Sequence, residues 1–556
     1  MLITNTVEHI YGKGKQRREG MEKSNGKTGV VSRRTFLKGV TGAGLTGAAA
    51  ALTGCKSTGK PAGGTGWTPQ QYNVPESWPV QVRGRVPIDP ENPSIVRDDK
   101  KCILCGQCIE ACSKVQSVQG YYELPIKDDI TCVNCGQCTL WCPTAAISER
   151  DDVDKVITAL NDKNLHVVVQ TAPATRVAVG EEFGLPPGSI IEGKMVAALK
   201  KMGFDGVFDT NFTADLTIME EGTELVARVK NALSGGHGRG EEGHHAPTAL
   251  PQFTSCSPGW VKFCEYFYPD LLEHMSTCKS PQQMLGALAK TYYAKKKGID
   301  PAKMVSVSIM PCTAKKFEAA RPEMNSAGVK NGNPKMMDVD YALTTRELAR
   351  MIKLFRIDFT ALKDRQYDNI MGEGTGAAVI FGNTGGVMEA AIRSGYFLLT
   401  GQNPPELLYN LEPVRGLQGV KKAALNVPGV GELRVAIAHG LGNARVLLDQ
   451  LREDKKNHRE PRFHFIEFMS CPGGCIGGGG QPRTALPPSN AVRQARLDSL
   501  YTMDAKMYKK RLSHENKEVQ QIYAEFLGKP NSKLAHELLH TTYTDRGSHL
   551  TAKKKA

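Results

Sequence analysis

Two cysteine runs constrain this chain more than any other feature. Cys102-x2-Cys105-x2-Cys108-x3-Cys112 is followed by Cys132-x2-Cys135-x2-Cys138-x3-Cys142-Pro143. Spacings this short let three thiolates of one loop grip one inorganic cube, while the fourth cysteine of each run reaches the other cube. Cys102, Cys105, Cys108 and Cys142 are therefore expected to hold one 4Fe–4S cluster, and Cys132, Cys135, Cys138 and Cys112 a second. Paired zinc sites lack this rhythm. Ser113 stands where proline is common after the first run. Ten of the fifteen cysteines lie two or three residues from another, a pattern of metal ligation rather than of a disulfide framework. Two adjacent cubes form an electron relay, so an electron source or sink is expected further along the chain.

Residues 93–150 are accordingly read as a two-cluster, ferredoxin-like α+β domain. At 556 residues the chain has room for further domains. Between residues 153 and 482 apolar runs alternate with helix-like sequence. Residues 156–160 are apolar, 167–169 strand-like, and 190–202 carry apolar residues at helical spacing. Further strands are expected over 304–309, 377–381 and 433–438. This alternation predicts an α/β catalytic domain, 151–487, with parallel sheets flanked by helices. Ligands of such domains sit in loops beyond the strand carboxyl ends. Three cysteine loops stand out, Thr254-Ser255-Cys256-Ser257-Pro258-Gly259-Trp260, Met310-Pro311-Cys312-Thr313-Ala314-Lys315, and Met469-Ser470-Cys471-Pro472-Gly473-Gly474-Cys475 with four glycines after Ile476, and the second follows an expected strand directly. Glycines there let backbone approach a bulky group. Any one loop could carry a buried structural cysteine; three, downstream of two cluster motifs, point to a third redox site.

These loops, in this order, resemble the signatures of iron-only (FeFe) hydrogenases. The similarity extends to Phe208-Asp209-Thr210-Asn211-Phe212 and to Phe381-Gly382-Asn383-Thr384-Gly385-Gly386, and runs from about residue 90 to the carboxyl terminus. The resemblance implies reversible conversion of H2 to protons and electrons at an H-cluster, a 4Fe–4S cube joined through a bridging cysteine to a di-iron unit carrying CO, CN and a dithiolate. It implies Cys475 as the bridge, Cys471 and Cys312 as cube ligands, Lys315 as hydrogen-bond donor to a cyanide, Met310 and Met469 packing on the di-iron unit, and Pro173 and Ala174 beside the dithiolate. Cyanide wants a donor and CO an apolar shell. Glu221, Glu224, Arg228 and Ser276 match the family's proton path.

The first loop departs from that family, which has two adjacent cysteines where this chain has Cys256 and then Ser257. By strict alignment Cys256 relays protons and Ser257 replaces a cube ligand, with an oxygen that is harder than thiolate and must be deprotonated to bind. Alternatively Cys256 ligates and the thiol relay is lost. The alternative function is a low-turnover H2 or redox sensor. A non-catalytic Fe–S assembly factor fits less well, because the full set of loops is present. Cys264 and Cys278 are read as core thiols, and residues 235–245 as a surface insertion.

Residues 488–556 resemble the small subunit of periplasmic FeFe hydrogenases, here fused to the large one as a helical segment, with helices expected over 492–512 and 517–527. His536 and His540, four apart, could bind metal or simply pack on the catalytic domain. Residues 1–55 hold Ser32-Arg33-Arg34-Thr35-Phe36-Leu37-Lys38 before an uncharged Ala/Gly-rich run, which reads as a Tat export signal. Leu52-Thr53-Gly54-Cys55 resembles a lipobox; ordinary cleavage nearby is the alternative. Residues 56–92 read as a linker. The net charge of +14 resides mostly at the ends, with nine Lys/Arg against three Asp/Glu in residues 1–55 and three lysines at 553–555, so no nucleic-acid footprint remains. Expected partners are H2, protons, a soluble electron carrier (cytochrome c or ferredoxin), and the Tat export and hydrogenase maturation machineries. The expected location is the periplasm, with uptake favoured and membrane attachment only through a lipid on Cys55.

Overall fold

The structure, a computed structural model, describes residues 84–118, 130–233, 249–484 and 488–548. The export signal, Cys55, most of the linker, residues 235–245 and the terminal lysines lie outside the described residues.

The amino-terminal portion pairs β1 (Ile95–Arg97) antiparallel with β2 (Ile147–Glu149). Between them stand α1 (Gln107–Glu110) and α2 (Gln137–Trp141), each preceded by a left-handed glycine, Gly106 at φ +73° and Gly136 at φ +66°. Leu104 and Asn134 also adopt positive φ, 55° and 62°. The two cysteine loops are thus built alike.

The later strands are β3 (His166–Thr171), β4 (Gly206–Asp209), β5 (Gln252–Phe253), β6 (Met304–Met310), β7 (Tyr341–Thr344), β8 (Val420–Val427), β9 (Gly431–His439) and β10 (Phe465–Met469). They form two four-stranded sheets, ordered β4-β3-β6-β7 and β5-β10-β9-β8. The first is wholly parallel. In the second, β10 lies parallel to β5 and β9, while β8 and β9 form an antiparallel hairpin.

Both faces of each sheet are covered, which explains their apolar sequences. Val167 and Val169 face one core with Met195, Leu199 and Leu348, while Val168 faces another with Phe208, Leu216 and Leu285. The period of two that places them is that of the strand itself. In the second sheet Ala436 and Ala438 pack with Trp260 and Phe468, and Val435 and Ile437 with Val387 and Met388. The covering helices include α3 (Val153–Asn161), α4 (Glu192–Met202), α5 (Thr210–Leu233), α6 (Pro258–Phe267), α7 (Pro281–Leu288), α8 (Ala314–Ala319), α9 (Thr345–Leu354), α10 (Gly376–Val379), α11 (Gly386–Thr400) and α12 (Leu441–Lys456). Helix α9 begins with a capping box, Thr344 accepting from Glu347 N and Glu347 from Thr344 N, a start signal worth about 1 kcal/mol.

Some expectations are corrected. Residues 377–381 are helical, not a strand: α10 runs into a 3-10 turn, Ile380–Gly382. A fully buried apolar run has no period to distinguish the two, and Thr375 decides it by capping Ala378 N. The helix expected over 492–512 ends early. After α13 (Asn490–Thr502) and a π turn, Met503–Met507, the chain is extended at Tyr508, where the Lys510 carbonyl accepts from Gly376 N at 2.8 Å. The helix over 517–527 is α14 (Lys517–Ile522) continued by a π turn to Leu527. A last helix, α15 (Lys533–Leu539), precedes His540. This segment packs Val519, Ile522, Leu538 and Leu539 into the core that holds Phe212 and Leu288.

Candidate active site

The three later cysteine loops, which carry Cys256, Cys312, and Cys471 with Cys475, leave the carboxyl ends of β5, β6 and β10 and meet. Pairing of β10 with β5 brings the first and third together. Phe468 N donates to Thr254 Oγ1 at 3.1 Å, and Trp260 Nε1 donates to Thr254 O at 3.0 Å. Trp260 stacks on Phe468 with centroids 4.1 Å apart. Ser257 caps α6 just ahead of Pro258, the favoured first helical residue, and its Oγ accepts from Ser470 N at 3.2 Å. Gly259 leaves room for Ser470, whose Oγ would lie 2.7 Å from a Cβ there. Gly474, at φ +90°, passes so close to the 383–384 backbone that a Cβ would lie 2.7 Å from Thr384 N. Only glycine satisfies both demands.

The loops surround one cavity lined by Cys256, Ser257, Cys312, Cys471 and Cys475, with Pro173, Met310, Lys315 and Met469. Burial pushes all the thiols up. Cys475 rises to about 12, with Cys312 adding to the effect. Cys471 rises further, through burial and then Cys312 and Cys475. Cys312 is raised by burial, against the pull of Lys315. Cys256 differs: after burial, its pKa is raised most by Glu221, with Lys315 opposing. Cys312, Cys471 and Cys475 thus form a cluster of mutually interacting thiols, Ser257 stands beside it on Ser470, and Cys256 faces the carboxylates. Iron offsets such burial by taking thiolate rather than thiol. Three thiols, a hydroxyl, close backbone and an apolar wall fit a large iron–sulfur group. The buried Ser470 Oγ, which has no partner within the protein, adds a polar atom beside that space.

Lys315 Nζ donates to Glu318 Oε2 at 3.0 Å and to Cys256 O at 3.1 Å. The same ammonium also lies 3.3 Å from Glu318 Oε1, and Lys315 lines the cavity. Glu318 is held by Ser280 Oγ at 2.8 Å and Gln282 Nε2 at 3.0 Å. Ala174 departs from expectation. Ala172, not Ala174, lines the cavity with Pro173, while Ala174 is packed behind, 3.3 Å from where a Gly382 Cβ would lie. Thr210, Gln282 and Phe381 also line the cavity and were not singled out, because an isolated buried residue carries no sequence signal of its own.

Behind Cys256 lies an acidic route on α5. Burial, then the charge of Glu224, lifts Glu221 to about 8, with the Ser276 hydroxyl and the Ser255 backbone beside it. Ser276 Oγ donates to Glu224 Oε2 at 3.0 Å, and Arg228 Nη2 to Glu224 Oε1 at 2.6 Å. In the amino-terminal portion, Cys102, Cys105, Cys108 and Cys142 line one cavity. Burial raises Cys138, with Cys132 and Cys112 adding to it; burial raises Cys135, with Cys471 and Cys138 adding to it. Cys142 thus lies with Cys102, Cys105 and Cys108, and Cys112 with Cys132 and Cys138. The second group abuts the glycine run: Gln137 Nε2 donates to Gly477 O at 2.9 Å, Thr139 Oγ1 to Gly479 O at 2.8 Å, and a Cβ on Gly479 would lie 2.3 Å from Cys135 O. Cys264 and Cys278 are buried in the cores.

Comparison with known proteins identifies the family. The family model described as iron only hydrogenase large subunit, C-terminal domain, matches residues 165–479, and that of the iron hydrogenase small subunit matches 490–546. The NADP-reducing hydrogenase subunit HndD of Solidesulfovibrio fructosivorans is 48% identical over 82% of this chain and 75% of its own length. The periplasmic Fe hydrogenase large subunit of Nitratidesulfovibrio vulgaris is 49% identical over 59% of this chain and 72% of its own. An apo FeFe hydrogenase structure from Chlamydomonas reinhardtii superposes with TM-score 0.60 at 41% identity, covering 71% of this chain and 99% of that one.

Proposed function

The chain belongs to the iron-only hydrogenase family, oxidoreductases acting on H2, with large- and small-subunit regions on one polypeptide; from this premise we propose that it is an exported uptake hydrogenase. Its domains are then a signal (1–55), a linker (56–92), a two-cluster ferredoxin-like domain (93–150), the catalytic domain (151–487) and the small-subunit-like segment (488–556). Export rests on Arg33-Arg34 and on similarity to a periplasmic enzyme. Uptake rests on that compartment, where a soluble cytochrome c or ferredoxin would receive the electrons.

The observation that carries the reading is the convergence of Cys312, Cys471, Cys475 and Ser257 on one cavity, with thiol-facing Cys135 on one side and Glu221 on the other. Cys475 would bridge the cube to the di-iron unit, Cys471 and Cys312 would ligate the cube, and Ser257 would take the fourth corner. Cys256 is then free to relay protons. The H-cluster, when bound, supplies the centre at which H2 is split and its electrons are collected. The protein's own part is positional. Lys315 offers a hydrogen-bond donor, and Met310, Met469 and Pro173 exclude water. Cys256, Glu221, Ser276 and Glu224 stand in sequence to carry the proton. Cys102, Cys105, Cys108 and Cys142, and Cys112, Cys132, Cys135 and Cys138, would hold the two relay clusters.

Purified, maturated protein is expected to reduce a redox dye under H2, and Cys475→Ala to abolish this; an inactive parent enzyme with its iron in place would overturn the reading. Ser257 is the specific observation that favours a low-turnover sensor instead. H2-dependent reduction many orders slower than dye-limited turnover, restored in Ser257→Cys, would favour that second reading.

A further inference from the structure

The acidic route behind Cys256 has no evident outlet through its own helix. Glu224 is 4% exposed and Arg228 1%. Arg228 Nη1 and Nη2 are taken up by the carbonyls of Ala249, Glu273 and Met275 as well as by Glu224. A guanidinium does not give up its proton in proteins, so Arg228 can anchor Glu224 but cannot pass a proton on. Ser276 Oγ donates to Glu224 Oε2, accepts from Cys278 N and is fully buried. What remains against Glu224 is Thr277, whose N donates to Glu224 Oε2 at 3.1 Å and whose Oγ1 lies 3.4 Å from the same oxygen.

Thr277 Oγ1 also lies 2.7 Å from His540 Nδ1. His540 belongs to the carboxyl-terminal segment and is held there by backbone: Thr541 N donates to Thr277 O at 2.8 Å, and Lys279 N to Leu539 O at 2.7 Å. Its other nitrogen, Nε2, lies 3.2 Å from Glu220 Oε2. Glu220 is fixed by Tyr523 OH at 2.5 Å and Asn531 N at 2.7 Å. A carboxylate on Nε2 keeps that nitrogen protonated and leaves Nδ1 to accept. The half-buried His536 stacks on His540 with centroids 4.0 Å apart.

We propose that protons travel between Glu224 and solvent through the Thr277 hydroxyl and His540, so that the small-subunit-like segment supplies the outer leg of the proton path. In the outward direction a protonated Glu224 donates to Thr277 Oγ1 as the Thr277 proton moves to His540 Nδ1. Glu220 then balances the resulting imidazolium, which returns to the neutral ring by giving a proton to solvent where His540 is 9% exposed. No electron moves in this step. Glu224, Cys278 and His540 also lie within 4.8 Å of one another, the geometry of a metal site. However, Arg228 beside Glu224 repels a cation, and both nitrogens of His540 are already paired.

This inference rests on the hydrogenase reading, so its test needs a readout apart from turnover. The holoenzyme is transferred to D2O, and the downshift of its buried carboxyl C=O stretch is timed by infrared spectroscopy; the band is assigned by its loss in Glu221→Gln. His540→Gln is expected to slow both this exchange and H2 oxidation by about 10²-fold, the low end of what positioned proton transfer supplies. Added imidazole should recover part of the loss. Thr277→Val should behave like His540→Gln, and Thr277→Ser like the parent. Parental exchange in both His540→Gln and Thr277→Val would overturn the proposal, as would stoichiometric zinc that is lost in Cys278→Ser. Slowed exchange in variants of a parent that cannot oxidise H2 would sustain the path and remove the hydrogenase reading instead.

Discussion

Under the proposed ligand set, Ser257 puts one oxygen where the family places a sulfur at a corner of the cube. Hard alkoxide and soft thiolate hold iron differently, so Ser257→Cys is expected to speed H2 oxidation by at least the ~10-fold that loss of even an outer-shell partner typically costs. Equal rates in the two proteins would show that the corner is not limiting. Glu221 yields a pH prediction. Burial and Glu224 lift it to about 8, so it carries a proton to deliver below that pH and loses it above. H2 evolution is therefore expected to fall as pH rises through about 8, and Glu221→Gln to lower the rate by about 10²–10⁴-fold with the cluster's CO and CN bands unchanged. The cysteines that build the site were legible because thiols at fixed spacing have few other uses. Ser470, Gln282 and Phe381 were not, because what makes them matter is a neighbour hundreds of residues away, as with Ser470 and Ser257.

At the scale of elements, β6 was legible, with Cys312 directly after it; β5 and β10 were not, because β5 is only two residues long and β10 carries the charged Glu467 in its buried middle. The 377–381 run was misjudged as a strand because burial on every side erases the period, and only a cap at Thr375 distinguishes it. The 502–508 break arises from a long-range demand, the pairing of Lys510 with Gly376, that no local pattern announces. The amino-terminal cluster region is joined to α9 through Glu149 and Arg346. Arg346 donates to Glu149 from Nε at 3.1 Å and from Nη2, and Nη2 also reaches Gly479 O at 2.9 Å. Burial alone would raise Glu149, but Arg346 outweighs it and holds the carboxyl at about 2. A depressed carboxylate stabilises the fold above its unfolded pKa and ceases to do so as pH falls through the folded value. The junction is thus expected to weaken between about pH 4.5 and 2, with a loss on the order of 3 kcal/mol. Glu149→Gln should remove that dependence, as followed by limited proteolysis between residues 93 and 165; an unchanged acid profile would exclude this pair as its origin.

Across the whole molecule, the fused carboxyl-terminal segment is bound by charge as well as by apolar contact. Arg393, fully buried on α11, donates to Asp504 Oδ2 at 2.8 Å and to Glu389 Oε1 at 2.7 Å, and Arg511 Nη2 reaches Asp504 Oδ2 at 2.6 Å. Removing one partner of a buried pair strands the other, at a cost of about 3–5 kcal/mol. Asp504→Ala is accordingly expected to release the segment to protease well before the catalytic domain unfolds; simultaneous loss of both would show that they are one cooperative unit. On the proposed reading three functions adjoin in this chain: an electron relay at the cysteine runs, a cavity for the H-cluster, and an acidic route beside the segment. The central claim is that Cys312, Cys471, Cys475 and Ser257 hold an H-cluster between them. It is tested most directly by infrared spectroscopy of the maturated protein under H2 and then CO. The account predicts CO and CN stretching bands that shift between the two gases and vanish in Cys475→Ala; a fully iron-loaded protein without those bands would contradict it.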